Sequence, residues 1–147
     1  MVITRRNSRE WAVHMLVAAE MNPPEDVETF ISGYWDFVRT LEKDDGGSDG
    51  HAVRGGMRRR TDEMVKGVLA EKDALDAIIG EYLQNWSLDR LGTVERTVLR
   101  LGVWELRVGA TPKPVVINEA VDLVNWFSSP KSRTLVNGVL SAYAKSL

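Results

Sequence analysis

The chain has 147 residues, of which 44% are hydrophobic and 27% are charged, and its formal net charge at pH 7 is −2. This is the composition of an ordinary globular protein, and the length suits one domain or two small subdomains that share a core. The absence of cysteine excludes disulfides, thiolate metal sites and cysteine nucleophiles. The sequence shows neither an apolar run of about 18 residues nor a charged leader followed by an apolar stretch, so we expect a cytoplasmic protein.

Basic residues are concentrated at the two ends of the chain. Residues 1–9 carry three and residues 128–147 carry three, and neither stretch contains an acid. Residues 10–127 hold the other 13 basic residues and all 21 acids, for a net charge of −8. Two interpretations fit this pattern: charged chain ends that are simply solvated, or ends that meet to form a basic patch on an acidic body.

Apolar residues recur at helical spacing through the first half of the chain. The pattern predicts a helix over Glu10–Met21 and a second helix that starts near Pro24, where the missing N–H of proline costs nothing. The glycine-rich stretch 44–56 breaks the pattern and is typical of a mobile surface loop. Residues 57–82 are expected to form two helices, with a break around Glu71–Asp73.

Capping residues and prolines indicate where the predicted helices of the second half begin and end. Ser87 is expected to cap a helix that ends at Gly109, and Pro114 is expected in the first turn of the next one. Ser132 is expected to cap the last helix. No segment alternates in the manner of a strand. The sequence therefore predicts an all-α protein.

We predict about seven helices in two packed small helical bundles. A boundary near residue 80 would divide the chain into residues 1–80, with the arginine-rich start and the loop, and residues 81–147. Together they would form one compact domain.

Reactive groups are few. The two histidines, His14 and His51, have no metal-ligand spacing, and neither a phosphate-binding loop nor a nucleophile elbow is present. The carboxylates are spread along helix faces, which is their usual solvated place. We therefore predict a binding protein that needs no metal or cofactor and is not an enzyme. An acid–base pair assembled only by the fold is the one catalytic alternative left open.

Tryptophan is frequent for a chain of this size, with five residues. Core packing is the expected role of each, because most fall on or beside apolar faces. For Trp126, which lies next to the basic C-terminal stretch, stacking against a nucleobase is the alternative. The five are Trp11, Trp35, Trp86, Trp104 and Trp126.

Three motifs in the second half resemble a known family. They are NWSLDRLGTVERTVLRLGVWEL at 85–106, PVVINEAVDLVNWF at 114–127 and VNGVL at 136–140. In order and spacing they resemble the NusB family of bacterial transcription antitermination factors. The N-terminus resembles the family's R-R-x-x-R-E-x-A-x-x-x-L opening, with Arg5, Arg6, Arg9, Glu10, Ala12 and Leu16.

The resemblance implies an all-helical fold without enzymatic activity. It also implies binding to boxA, a short single-stranded RNA element of ribosomal RNA transcripts. The family binds this RNA as a heterodimer with NusE, a small-subunit ribosomal protein. Within the RNA polymerase antitermination complex, the pair helps the polymerase to read through terminators.

Site residues follow from the same resemblance. Asp89 and Glu95 match acidic positions of the NusE face, and solvated helix charges are the alternative. Asn137 is either an RNA contact or a structural residue, and Gly138 is expected to permit close helix packing. The expected RNA contacts are Arg5, Arg6, Arg9, Lys131, Arg133 and Asn137.

Some positions depart from the family pattern. His14, Val17 and Leu135 stand where the family usually has glutamine, tyrosine and phenylalanine. Arg54 and the run Arg58–Arg60 have no counterpart that we can align, and they fit either a second anion contact or a solvated helix face. The loss of two aromatic residues leaves the detail of both interfaces open. The alternative function is a NusB-fold protein-interaction module that has lost boxA recognition.

Overall fold

The computed structural model describes residues 7–44, 55–127 and 129–147. Over these residues the chain forms α-helices and no strand, which confirms the all-α prediction. None of these helices is long and apolar enough to cross a membrane. The helices are α1 (Ser8–Met21), α2 (Val27–Asp44), α3 (Gly55–Ala70), α4 (Lys72–Tyr82), α5 (Thr93–Val108), α6 (Lys113–Phe127) and α7 (Pro130–Lys145), with a 3₁₀ turn at Leu88–Arg90.

Most predicted helix boundaries are confirmed, but Pro24 does not stand in the first turn of α2. That helix begins at Val27, because the Asp26 side chain caps it by accepting from the Thr29 N–H. The Asn7 side chain caps α1 by accepting a hydrogen bond from the Glu10 N–H at 2.9 Å. The break between α3 and α4 falls at Glu71. Gly109 ends α5 in the left-handed conformation, with φ of 74°, and Pro114 is the second residue of α6. The loop predicted for 44–56 lies largely outside the described residues.

Two predicted caps are wrong. Ser87 makes no side-chain cap bond and precedes the 3₁₀ turn, and α5 begins only at Thr93. Ser132 lies inside the first turn of α7, which starts at Pro130 after the N-cap Ser129. Proline suits the first helical position because its φ is already helical and its missing N–H is not needed there, so the helix starts before Ser132.

The chain divides into two compact units, residues 1–66 and residues 67–147, with the border inside α3. The division near residue 80 stays a prediction. In the first unit, Trp11 and Trp35 are buried with ring centroids 5.4 Å apart. The Trp35 Nε1–H donates to Asp62 Oδ1 at 2.8 Å, which ties α2 to α3.

The second unit is built from α4 to α7. Helices α5, α6 and α7 pack on one another, and α4 packs on α5. Arg100 on α5 is buried and reaches Asp76 on α4 through two bonds, Nε to Oδ1 at 2.6 Å and Nη2 to Oδ2 at 3.1 Å. A buried guanidinium is tolerated only when it is paired in this way, so the ion pair specifies how α4 meets α5.

Glycine permits close helix packing at Gly67 and Gly102 rather than at Gly138, where it was expected. Gly138 is exposed, and a Cβ there would meet no described atom within 4 Å, so the prediction that it permits helix packing is wrong. A Cβ on Gly102 would instead meet the Leu140 side chain, and one on Gly67 would overlap the indole of Trp104. These two glycines permit close contacts within the second unit.

Exchanging glycine for alanine is expected to have opposite effects at two mid-helix positions. Gly67→Ala forces a methyl group against a rigid ring and should lower the free energy of unfolding by about 1–3 kcal/mol. Gly138→Ala adds a methyl group in open space and should raise it by about 0.5–1 kcal/mol. Urea denaturation of both variants measures the difference. Equal effects of the two substitutions would contradict this packing account.

Candidate nucleic-acid interface

Two exposed cations lie at the start of α7. Lys131 and Arg133 are the second and fourth residues of the helix, and its first turn contains no acid. The N-terminal end of a helix carries partial positive charge, and an anion there is favoured by about 0.3–1 kcal/mol. Cations at this end are correspondingly unfavourable. An anion bound beside this turn would therefore satisfy both the helix end and the two side chains.

A hydrogen bond joins the starts of α7 and α5. The buried Ser132 hydroxyl donates to Glu95 Oε1 at 2.8 Å. Glu95 is the third residue of α5, where a carboxylate suits the helix dipole. A Cβ on Gly92 would overlap the Glu95 carboxylate, so glycine leaves room for it. The bond therefore fixes the cationic turn of α7 beside the acidic start of α5.

A pocket of about 540 Å³ opens at this junction. Its walls are mainly apolar, with Lys131 and Arg90 adding positive charge and Glu95 negative charge. An apolar cleft with a few polar groups is the usual form of a ligand site. The lining residues are Trp86, Arg90, Leu91, Gly92, Glu95, Lys131, Ser132, Thr134 and Leu135.

Trp86 is a site residue that the sequence analysis missed. It was expected in the core, but 56% of it is exposed and it lines the pocket. Its neighbours Gln84, Asn85 and Ser87 are polar, and this break in the apolar pattern was the available signal. Core packing is also wrong for Trp126, which is 83% exposed but does not line this pocket.

The structure brings some predicted site residues together. Lys131 and Glu95 line the same pocket. Arg133 and Asn137 are exposed on α7, and Asp89 is exposed in the 3₁₀ turn. A solvated helix charge is the wrong interpretation of Glu95, since it accepts the Ser132 hydrogen bond.

The other predicted RNA contacts belong to the N-terminal part of the chain. Arg9 belongs to α1 in the first unit, whereas Lys131 belongs to the second. Arg5 and Arg6 lie outside the described residues. A single basic patch formed by both chain ends therefore stays a prediction.

Comparison with known proteins decides the family. A family model described as the NusB family matches residues 6–145. The chain belongs to the NusB family. Transcription antitermination protein NusB of Oleidesulfovibrio alaskensis is 34% identical over 145 residues, which cover 98% of this chain and 89% of the relative. The resemblance drawn from the motifs is thereby confirmed.

Solved structures agree with this assignment. T. maritima NusB matches with a TM-score of 0.75 at 27% identity, covering 99% of this chain and 92% of that chain. A chain from a complex of the antitermination factors NusB and NusE with double-stranded RNA matches with a TM-score of 0.73 at 28% identity. That match covers 100% of both chains.

The charged residues of the NusB-like motif ERTVLR have structural partners in this chain. Glu95 accepts from Ser132, and Arg100 pairs with Asp76. Arg96 donates to the Leu91 carbonyl and, at 3.3 Å, to Thr93 Oγ1, so it fixes the turn that leads into α5. The motif therefore holds the wall of the pocket in shape.

Ser132→Ala is expected to lower the free energy of unfolding by about 1–2 kcal/mol, because it removes a hydrogen bond to a charged, half-buried acceptor. Ser129→Ala is the matched control, since Ser129 makes no side-chain cap bond and its hydroxyl shares a neutral hydrogen bond of 3.4 Å with that of Ser132, weaker than one to a carboxylate. Thermal unfolding should show a smaller loss of stability for Ser129→Ala than for Ser132→Ala. If the control loses as much stability, the Ser132–Glu95 bond has no special structural role.

Proposed function

We propose that this protein is an RNA-binding transcription antitermination factor. It binds boxA-type RNA of ribosomal RNA transcripts together with NusE and promotes read-through by RNA polymerase. It acts in the cytoplasm as a binding protein and is not an enzyme. The full-length likeness to a chain solved with NusE and double-stranded RNA is the observation that carries this proposal.

The RNA side combines phosphate contacts with one stacking site. Lys131 and Arg133 meet phosphates at the start of α7, and Arg5, Arg6 and Arg9 meet phosphates on the first unit. For a single strand, five such contacts give a salt slope of about −3.5, at roughly −0.7 per contact. In this proposal, Asn137 of α7 also contacts the RNA.

Phosphate contacts position the RNA but do not read its sequence. In this proposal the pocket contributes a contact with a base, because the exposed face of Trp86 can stack on an unpaired base. Leu135 forms an apolar wall of the same pocket, and Lys131 stands at its rim to meet the phosphate of the bound nucleotide.

The NusE side uses acidic groups. Asp89 and Glu95 face a basic ribosomal protein, and the net charge of −8 over residues 10–127 steers the encounter. Glu95 and Lys131 line one pocket, so in this proposal the two partners meet at adjoining surfaces. Glu95→Gln is therefore a better probe of the NusE contact than charge reversal, which would also place a cation beside Lys131.

Removing cations is expected to flatten the salt dependence of RNA binding. Arg5→Ala with Arg6→Ala should reduce the slope by about 1–2, and Lys131→Gln by about 0.7. Fluorescence anisotropy with a boxA oligonucleotide, over a tenfold range of salt, measures the slopes, and circular dichroism checks the helical content. Unchanged slopes in all variants would remove the phosphate role of these residues.

Trp86→Ala is expected to weaken boxA binding by about 5- to 150-fold, because one base–aromatic stack is worth about 1–3 kcal/mol. Trp126→Ala is the control, since it removes an equally large exposed ring outside the pocket. The same anisotropy titration compares them at one salt concentration. A loss confined to Trp126→Ala would instead support the stacking role that the sequence analysis considered for Trp126.

A NusB-fold interaction module that has lost boxA recognition is the second candidate. One observation favours it: Leu135, a departure from the family's usual phenylalanine, lines the pocket. Titration of boxA and of a scrambled strand of equal length, with and without NusE, separates the two functions. Preference for boxA supports the first, and NusE binding with equal RNA affinities supports the second. A duplex of the same sequence tests whether a single strand is required.

A further inference from the structure

Two arginines near the start of α3, Arg59 and Arg60, have no contact over the described residues that would give them a role in the fold. Arg59 and Arg60 are exposed, and over the described residues neither guanidinium has an ion-pair or hydrogen-bond partner. Glu63 is also exposed on this helix, one turn further along. Two unpaired cations on one helical turn leave positive charge uncompensated, and an anion bound near that turn would balance it.

The residue before them is held in place. Arg58 lies over the ring of Trp35, with 5.2 Å from its guanidinium carbon to the ring centroid, which is a cation–π contact. The same indole donates to Asp62 at 2.8 Å, so this carboxylate is already bonded. The run is therefore fixed by Arg58 to a buried ring, while Arg59 and Arg60 extend into solvent.

The start of α1 lies against the same end of α3. The buried Thr61 hydroxyl lies 3.4 Å from the Ser8 carbonyl oxygen, and the Ser8 hydroxyl lies 3.4 Å from the Met57 carbonyl oxygen. Arg9 follows Ser8 in the chain, and the arginine run lies between Met57 and Thr61. These contacts bring Arg9 and the run to one end of the first unit.

We propose that Arg59 and Arg60 extend the phosphate-binding surface of Arg9, so that the first unit holds a longer stretch of single-stranded RNA. The inference rests on the proposed function for the identity of the polyanion. Arginine suits the task because its planar fork can bond two phosphate oxygens at once. RNA is favoured over an acidic protein because the start of α1, which carries the proposed RNA contact Arg9, lies against Met57 and Thr61 on either side of the run. The contacts are independent of base sequence.

The test compares Arg59→Gln/Arg60→Gln with Lys66→Gln. Lys66 lies on the same helix, but its Nζ is 2.7 Å from Glu28 Oε1, and this hydrogen bond raises the pKa of Lys66. Its charge is thus already matched by an acid. In anisotropy titrations, the double variant should flatten the salt slope by about 1.4, at roughly 0.7 per contact, and the control should leave it unchanged.

A further variant that is expected to bind RNA more tightly shows that the effects do not arise from misfolding. Glu63→Gln removes the exposed acid next to the run, so it should tighten RNA binding at low salt, which a poorly folded protein cannot imitate. An unchanged slope in the double variant, or weakened NusE binding with unaltered RNA binding, would overturn the proposal. The second outcome would make the run a protein contact.

Two RNA probes separate this inference from the proposed function. Phosphate contacts predict the same flattening on boxA and on a scrambled strand of equal length. Flattening on both strands without any preference for boxA supports the inference and refutes boxA recognition. A preference for boxA with an unchanged slope refutes only the inference. Failure of the wild-type protein to bind either strand refutes both.

Discussion

The hydrogen bond from Ser132 to Glu95 is the interaction on which the candidate site depends. It joins the first turn of α7 to the first turn of α5 at 2.8 Å, and both groups are at least partly buried. A charged acceptor in such a place costs free energy unless a donor is supplied. Helix α5 is itself tied to α4 by the ion pair of buried Arg100 with half-buried Asp76, so this wall of the pocket is anchored to a second helix.

Each unit carries cations near the start of a helix, an electrostatic arrangement that is unfavourable by itself. Lys131 and Arg133 stand at the positive end of α7, and Arg59 and Arg60 stand near the positive end of α3. Acids are the residues that stabilise such helix starts. In the proposed function, cations placed there lower the stability of the free protein and raise its affinity for RNA. Residues 10–127 carry a net charge of −8, so acidic groups outnumber basic ones over that stretch.

Local sequence patterns predicted the helices well, but they predicted the side-chain contacts between helices poorly. The break at Glu71 and the left-handed Gly109 follow from residues close in sequence, so periodicity and capping chemistry were sufficient. Ser132 was placed wrongly because Pro130 already starts the helix, and the Ser132 hydroxyl bonds instead to Glu95, 37 positions away in sequence, a partner that no local rule detects. Gly138 was assigned a packing role that belongs to Gly67 and Gly102, because the facing side chains come from other helices.

The sequence by itself determined the helical class, most helix ends, the family and the identity of the charged residues, because these depend on residue type and on short-range spacing. Only the tertiary structure decided that Trp86 lies in solvent at a pocket with Lys131 and Glu95. It alone placed the start of α1 against the arginine run of α3. The physical reason is that exposure and the meeting of charges depend on how helices distant in sequence pack, and that packing is set by side-chain shape and hydrogen bonds across the core.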